Sequence, residues 1–211
     1  MDWLYAALLG YLLGSIPFGL LLAKAAGKGD IRQIGSGNIG ATNVLRTGSK
    51  GLAAAVLLLD AGKGFAAVWL AWVLWQQAAV ALDMAMAGFA ALIGHCFPLW
   101  LRFRGGKGVA TMLGASFGLD WRIGAACTLT WLIVALATRR SSLGGMASAA
   151  AASVTAFAVY FTHSPRTWDD LAGLWIFTPT LALMAILVIW QHRENIKRLR
   201  SGTEPKIGRK P

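Results

Sequence analysis

A chain of 211 residues with 56% apolar side chains, 14% charged ones and a mean hydropathy of +0.57 is too apolar for an ordinary soluble domain and is expected in a bilayer. The formal net charge of +11 does not mark a nucleic-acid partner. Most Lys and Arg fall in short segments between or after apolar runs, the positive-inside pattern, where they also face anionic lipid headgroups.

In chain order, the amino terminus reads Met-Asp-Trp-Leu, with no positive n-region and no small-residue cleavage site before Gly10, so no removable signal peptide is expected. Apolar segments follow at 4–23, 52–75, 84–101, 109–119, 121–138, 143–161 and 174–190. They predict an all-α, polytopic bundle of seven transmembrane helices forming one domain over 1–211, with the N-terminus outside and the C-terminus cytoplasmic. The fourth segment covers only about 17 Å at 1.5 Å per residue, so it needs tilt or local thinning to cross. A five-helix alternative, with 109–138 as a re-entrant hairpin, gives the same sidedness. That sidedness puts the basic segments 24–50, 102–107, 139–140 and 192–211 inside. Only Arg122 and Arg166 fall outside, with Asp2, Asp83, Asp120, Asp169 and Asp170, and Lys63 lies within a helix. Cys96 and Cys127 are far apart, form no CxxC pair and read as packing residues. Gly144, Gly145 and the alanines of 147–152 permit close helix contact. No repeat is visible.

Three polar segments carry the chemistry. In 35–46 (GSGNIGATNVLR), glycines including Gly37 let backbone approach an anion, Ser36, Asn38, Thr42 and Asn43 add donors, and Arg46 offers a bidentate fork for phosphate. In 94–111, Gly105, Gly106 and Gly108 bracket Lys107 just before a helix start, where free N–H groups and the helix dipole favour an anion. This is no Walker A, because Leu101 stands where that motif needs glycine, and nucleotide hydrolysis is disfavoured. In 192–206, His192 and Asn195 share a helix face if the last helix continues. Asp60 and Lys63, three apart inside the second span, are either a structural pair or a brace for the site. No metal-binding spacing occurs, and neither metal nor cofactor is expected.

With 14–19 (GSIPFG) and 59–64 (LDAGKG), these segments resemble the bacterial acyl phosphate dependent glycerol-3-phosphate 1-acyltransferases, small integral membrane enzymes, over nearly the whole chain. The resemblance implies glycerol 3-phosphate and a long-chain acyl phosphate as substrates, lysophosphatidic acid and phosphate as products, a bacterial inner membrane with the site toward the cytoplasm, and a monomer surrounded by membrane lipid. Ser36, Asn38, Thr42, Asn43, Arg46, Lys107, His192 and Asn195 stand at positions matching substrate-binding or catalytic residues. Ser142, in 139–145 (RRSSLGG), is similar to the family's Ser-Leu segment, in more divergent surroundings.

An acyl phosphate is already activated, so direct attack needs no acyl-enzyme. Ser36 lacks the surroundings of a covalent nucleophile. The His-x4-Asp signature of other glycerolipid acyltransferases is absent, since Trp100, Trp168 and Lys197 stand where its Asp would follow His95, His163 and His192. The proton goes either to His192 or to a substrate phosphate oxygen. The rival reading is a transporter or channel for phosphate esters, whose basic loops would select an anion.

Overall fold

The computed structural model describes residues 2–75, 79–162 and 173–207, and every regular element among them is helical. The elements are α1 (Asp2–Gly14), α2 (Phe18–Ala25), the short α3 (Ala41–Val44), α4 (Lys50–Leu74), α5 (Val80–Cys96), α6 (Val109–Leu119), α7 (Trp121–Thr138), α8 (Ser141–Thr162), α9 (Thr178–Gln191) and α10 (Arg193–Arg200). A π-helical turn, Gly173–Phe177, leads into α9. Each of the seven apolar segments expected from sequence contains helix, while Arg166, Asp169 and Asp170 of the expected outer side lie outside the described residues.

The first segment departs from expectation, because it is two helices rather than one. Pro17 has no N–H to donate and its ring clashes with the preceding turn, so α1 stops at Gly14 and α2 restarts at Phe18. The break frees two carbonyls inside an apolar region, and both are taken up. Trp100 Nε1 donates to Ser15 O at 2.7 Å, and Lys63 Nζ donates to Ile16 O at 2.8 Å.

By length and composition, five helical segments can cross a membrane: Asp2–Ala25 counted through its break, Lys50–Leu74, Val80–Leu101, Trp121–Thr138 and Ser141–Thr162. Trp175–Gln191 and Arg193–Arg200, bent by 58° at His192, make a sixth if taken together. α6 is apolar but has only 11 residues, so length alone does not carry the count to seven.

Lipid tails are as apolar as leucine, so helix association here rests on close packing of small residues. A Cβ on Gly14 would lie 2.0 Å from Ala91 O and one on Gly94 2.3 Å from Tyr11 O, which seats α1 directly on α5. On the other side, Gly64 faces Thr111 O and Gly114 faces Ala61 O, locking short α6 onto α4. Large apolar side chains stand exposed on the outer surface of the bundle, as at Ile133 and Leu136. Beneath the bundle, Ile31, Ile39 and Val44 of the first connection pack on Ala23, Ala53 and Val56, so this polar loop is anchored by its own apolar residues.

A side chain at Gly114 would need backbone to move, since its Cβ falls 1.8 Å from Ala61 O, whereas Gly62 has open space around it. Gly114→Leu is therefore expected to destabilise the protein by about 1–3 kcal/mol or more. Gly62→Ala should leave stability unchanged or slightly raised. Thermal unfolding of the two purified variants in detergent checks the contrast.

Candidate active site

The first connection is built around Asn43. Its Nδ2 donates to Ile31 O (2.7 Å) and Ile34 O (3.2 Å), and its Oδ1 accepts from Ser36 N (3.0 Å) and Ser36 Oγ (3.3 Å). This clamp folds the loop over Gly35, at φ 56°, where a Cβ would meet the Arg46 guanidinium at 2.5 Å. Only glycine leaves room for Arg46 to lie there. Arg46 has no hydrogen-bond or ion-pair partner among the described residues, and it lines a cavity of about 690 Å³.

The second connection reaches the same cavity. Gly105 N donates to Cys96 O and Gly106 N to His95 O, both at 3.0 Å, tying the loop back to the end of α5. Gly108, at φ 81°, then starts α6 without a side-chain cap, so the first N–H groups of that helix open toward the cavity beside Lys107. Lys107 Nζ donates to Asn195 Oδ1.

The third connection closes the site. At His192 the chain bends by 58° into α10, and both His192 and Asn195 are buried. His192 Nδ1 lies 2.7 Å from Val188 O, a carbonyl that can only accept, so Nδ1 carries the proton and Nε2 keeps its lone pair. Glu204 receives Ser142 Oγ (2.6 Å) and Asn195 Nδ2 (2.7 Å) on Oε1, and Arg198 Nε (2.8 Å) on Oε2. Thr42 Oγ1 meets Ser141 Oγ at 3.0 Å, joining the first connection to the start of α8.

Away from these cations the cavity continues as an apolar groove, floored by α6 through Leu113 and Phe117 and walled by Leu57 of α4 and Trp131 and Leu132 of α7. A cationic end running into an apolar slot suits an amphiphile with an anionic head.

The family model for glycerol-3-phosphate acyltransferase matches residues 4–202. The chain belongs to this family. The glycerol-3-phosphate acyltransferase of Erythrobacter litoralis is 52% identical over 211 residues, covering 100% of this chain and 98% of that protein. That of a Ruegeria species is 54% identical over 202 residues, covering 96% and 92%. Two crystal structures of PlsY (YgiH), described as an integral membrane glycerol 3-phosphate acyltransferase, share the fold. The glycerol 3-phosphate form has a TM-score of 0.82 at 33% identity, and the lysophosphatidic acid form 0.80 at 34%; each comparison covers 99% of this chain and 96% of that one.

Set against the residues expected from sequence, the cavity of this family member is lined by Ser36, Asn38, Thr42, Asn43, Arg46, Lys107, Gly108, Ser142, His192 and Asn195, together with Asp60. Gly37, Gly105 and Gly106, also expected there, do not line it, and their N–H groups donate to Ile34 O, Cys96 O and His95 O. Ser36 N and Gly40 N are likewise taken, by Asn43 and Asn38 side chains. Asn43 borders the cavity, and its amide is engaged on both sides in the loop clamp. Lys63 stands one layer behind Asp60, bonded to it at 2.7 Å.

Sequence reasoning missed Glu204, Arg198 and Lys206, which also border the cavity. A carboxylate far along a basic tail, one of two there with Glu194, was the available signal for Glu204, since an anion among cations invites neighbouring donors. Its burial opposes ionisation, yet the hydrogen bonds from Ser142, Asn195 and Arg198 hold its carboxyl below the usual glutamate range.

Burial pushes the Lys107 ammonium down to about 8, with Arg198 and Arg46 adding repulsion and Glu204 opposing it. Lys107 is thus cationic below that pH and neutral above it. If its charge holds an anionic substrate, kcat/KM for the anionic acceptor falls as pH rises through about 8. In Lys107→Arg, whose charge persists, that alkaline limb should disappear. Steady-state pH profiles of both proteins measure this.

Proposed function

We propose that this protein transfers a fatty acyl group from an acyl phosphate to the 1-hydroxyl of glycerol 3-phosphate, producing lysophosphatidic acid and inorganic phosphate. The reaction takes place at the cytoplasmic face of a bacterial inner membrane that the chain crosses seven times, N-terminus outside. The observation that carries this reading is the convergence of Arg46 and Lys107, from separate connections, on one cavity that continues as an apolar groove. Two anionic reactants repel each other, and cations from two loops with the α6 N-terminus offset that repulsion and stabilise the departing phosphate. The groove takes the acyl chain. Ser36, Asn38, Thr42 and Ser142 offer the remaining polar contacts, while Asn195 positions Lys107.

Burial, reinforced by Lys107, drives the His192 imidazole down to about 4, even though the bond to Val188 O opposes the shift. It is neutral at pH 7 and a weak base, suited to accept the acceptor's hydroxyl hydrogen bond through Nε2 and orient it. A phosphate oxygen of the substrate then takes the proton as the acyl C–O bond to the hydroxyl oxygen forms and the acyl–phosphate bond breaks. On this account His192→Ala weakens acceptor binding more than it slows the bound reaction. Single-turnover rates at saturating glycerol 3-phosphate, compared with KM, measure the two effects separately.

The deciding assay gives purified protein glycerol 3-phosphate and palmitoyl phosphate. The expected result is stoichiometric lysophosphatidic acid and inorganic phosphate, with no turnover of palmitoyl-CoA or palmitoyl acyl carrier protein in parallel. A phosphate-ester transporter would generate neither product, and equal use of the thioesters would refute the donor assignment.

A further inference from the structure

One polar group on the cavity wall is not used by the chemistry above. Asp60 of α4 is 2% exposed and borders the cavity, together with His95, which is 4% exposed. Lys63 Nζ lies 2.7 Å and His95 Nδ1 3.6 Å from Asp60, and both approach the same oxygen, Oδ1. No hydrogen bond to Oδ2 is found among the described residues, and the fully buried Oδ1 itself lacks one of good geometry despite these close neighbours. A carboxylate is an acceptor only, so an oxygen left open on the wall calls for a donor from a ligand. A carboxylate facing a pocket for phosphates would ordinarily repel them. Here Lys63, anchored on Ile16 O at 2.8 Å, supplies the compensating charge from behind.

The place of Asp60 along the cavity says which ligand group it meets. On α4 it sits one turn from Leu57 and next to Ala61, where the apolar groove begins. Through His95 it reaches the cationic end, because the imidazole packs against Gly106, where a Cβ would lie 2.0 Å from Nε2, and Lys107 follows. In a 1-acylglycerol 3-phosphate with its phosphate at Lys107 and Arg46 and its chain in the groove, the glyceryl unit must span this junction. Its remaining free hydroxyl is the one at carbon 2.

We infer that Asp60, neutralised by Lys63 and steadied by His95, is the acceptor for the 2-hydroxyl of the glycerol 3-phosphate backbone, selecting acceptors that carry it and turning it away from the acyl donor. This rests on the acyltransferase reading. A site that hydrogen-bonds a substrate hydroxyl rejects an analogue lacking it, because the site's own polar group is then left desolvated and unpaired.

The test compares sn-glycerol 3-phosphate with 3-hydroxypropyl phosphate, which lacks only the 2-hydroxyl, using purified full-length protein and palmitoyl phosphate. The wild type is expected to favour glycerol 3-phosphate by at least about tenfold in kcat/KM. Asp60→Leu combined with Lys63→Met removes the carboxylate and its counter-charge together at similar volume, and should bring that ratio to within about threefold of one. Asp60→Asn, which keeps the shape but accepts without charge, should give an intermediate ratio. Equal use of the two acceptors by the wild type overturns the inference without any variant. So does a double variant that slows both acceptors by the same factor, the outcome of a purely structural role. Failure of the acyltransferase reading looks different, since the wild type would then acylate neither acceptor.

Discussion

Glu204 accepts from Ser142, Asn195 and Arg198, and Asn195 in turn accepts from Lys107. One anion in the C-terminal tail therefore ties together the start of α8, α10 and the loop before α6. Ser142 and Asn195 are buried in this network, where an unpaired polar group would be costly, and the shared carboxylate gives each a partner at the edge of an apolar bundle. Asn195 and Arg198 both lie on α10, past the 58° bend at His192. The second anchor, Asn43, performs the same service for Arg46 through backbone carbonyls instead of charge.

The shortness of α6 has a consequence for where chemistry can occur. Thr111 O meets Gly64, about 21 Å along α4 from Lys50 at 1.5 Å per residue. The loop carrying Lys107 consequently ends beside the body of α4, not at its lower end. A cation set at that depth stands next to lipid-level side chains, so the polar cavity and the apolar groove are continuous without any large motion. Burial at that depth also lowers the affinity of Lys107 for its proton. Polar groups inside an apolar bundle are tolerated where each has a partner, and Lys63 shows this by serving Asp60 and the carbonyl freed at the Pro17 break at once.

Much of the architecture was legible in residue order. Every apolar segment contains helix, since a run of apolar side chains has one economical conformation in lipid, with its backbone hydrogen bonds satisfied internally. The break at Ser15 to Pro17 was equally written in the chain, although a hydropathy reading smooths over it. The candidate residues Arg46, Lys107, His192, Asn195 and Ser142 all line one cavity. The roles of the glycines and of Asn43 were not readable. A glycine that binds an anion and one that lets two backbones touch are identical in sequence, and only contacts distinguish Gly105 and Gly106, packed on α5, from Gly108 at the mouth of α6.

The amino-acid sequence by itself determined that this is a membrane-embedded helical protein with cationic, glycine-bearing connections, because hydropathy and residue chemistry are local properties that survive without coordinates. Tertiary structure alone decided which donors remain free and which are consumed. That Asn43 is spent on its own loop, that Glu204 joins three elements, and that Asp60 borders the cavity beside His95 are facts of the folded chain. Hydrogen bonds saturate: a group that finds a partner within the fold is lost to a ligand, and which groups do so is known only when distant segments are brought together.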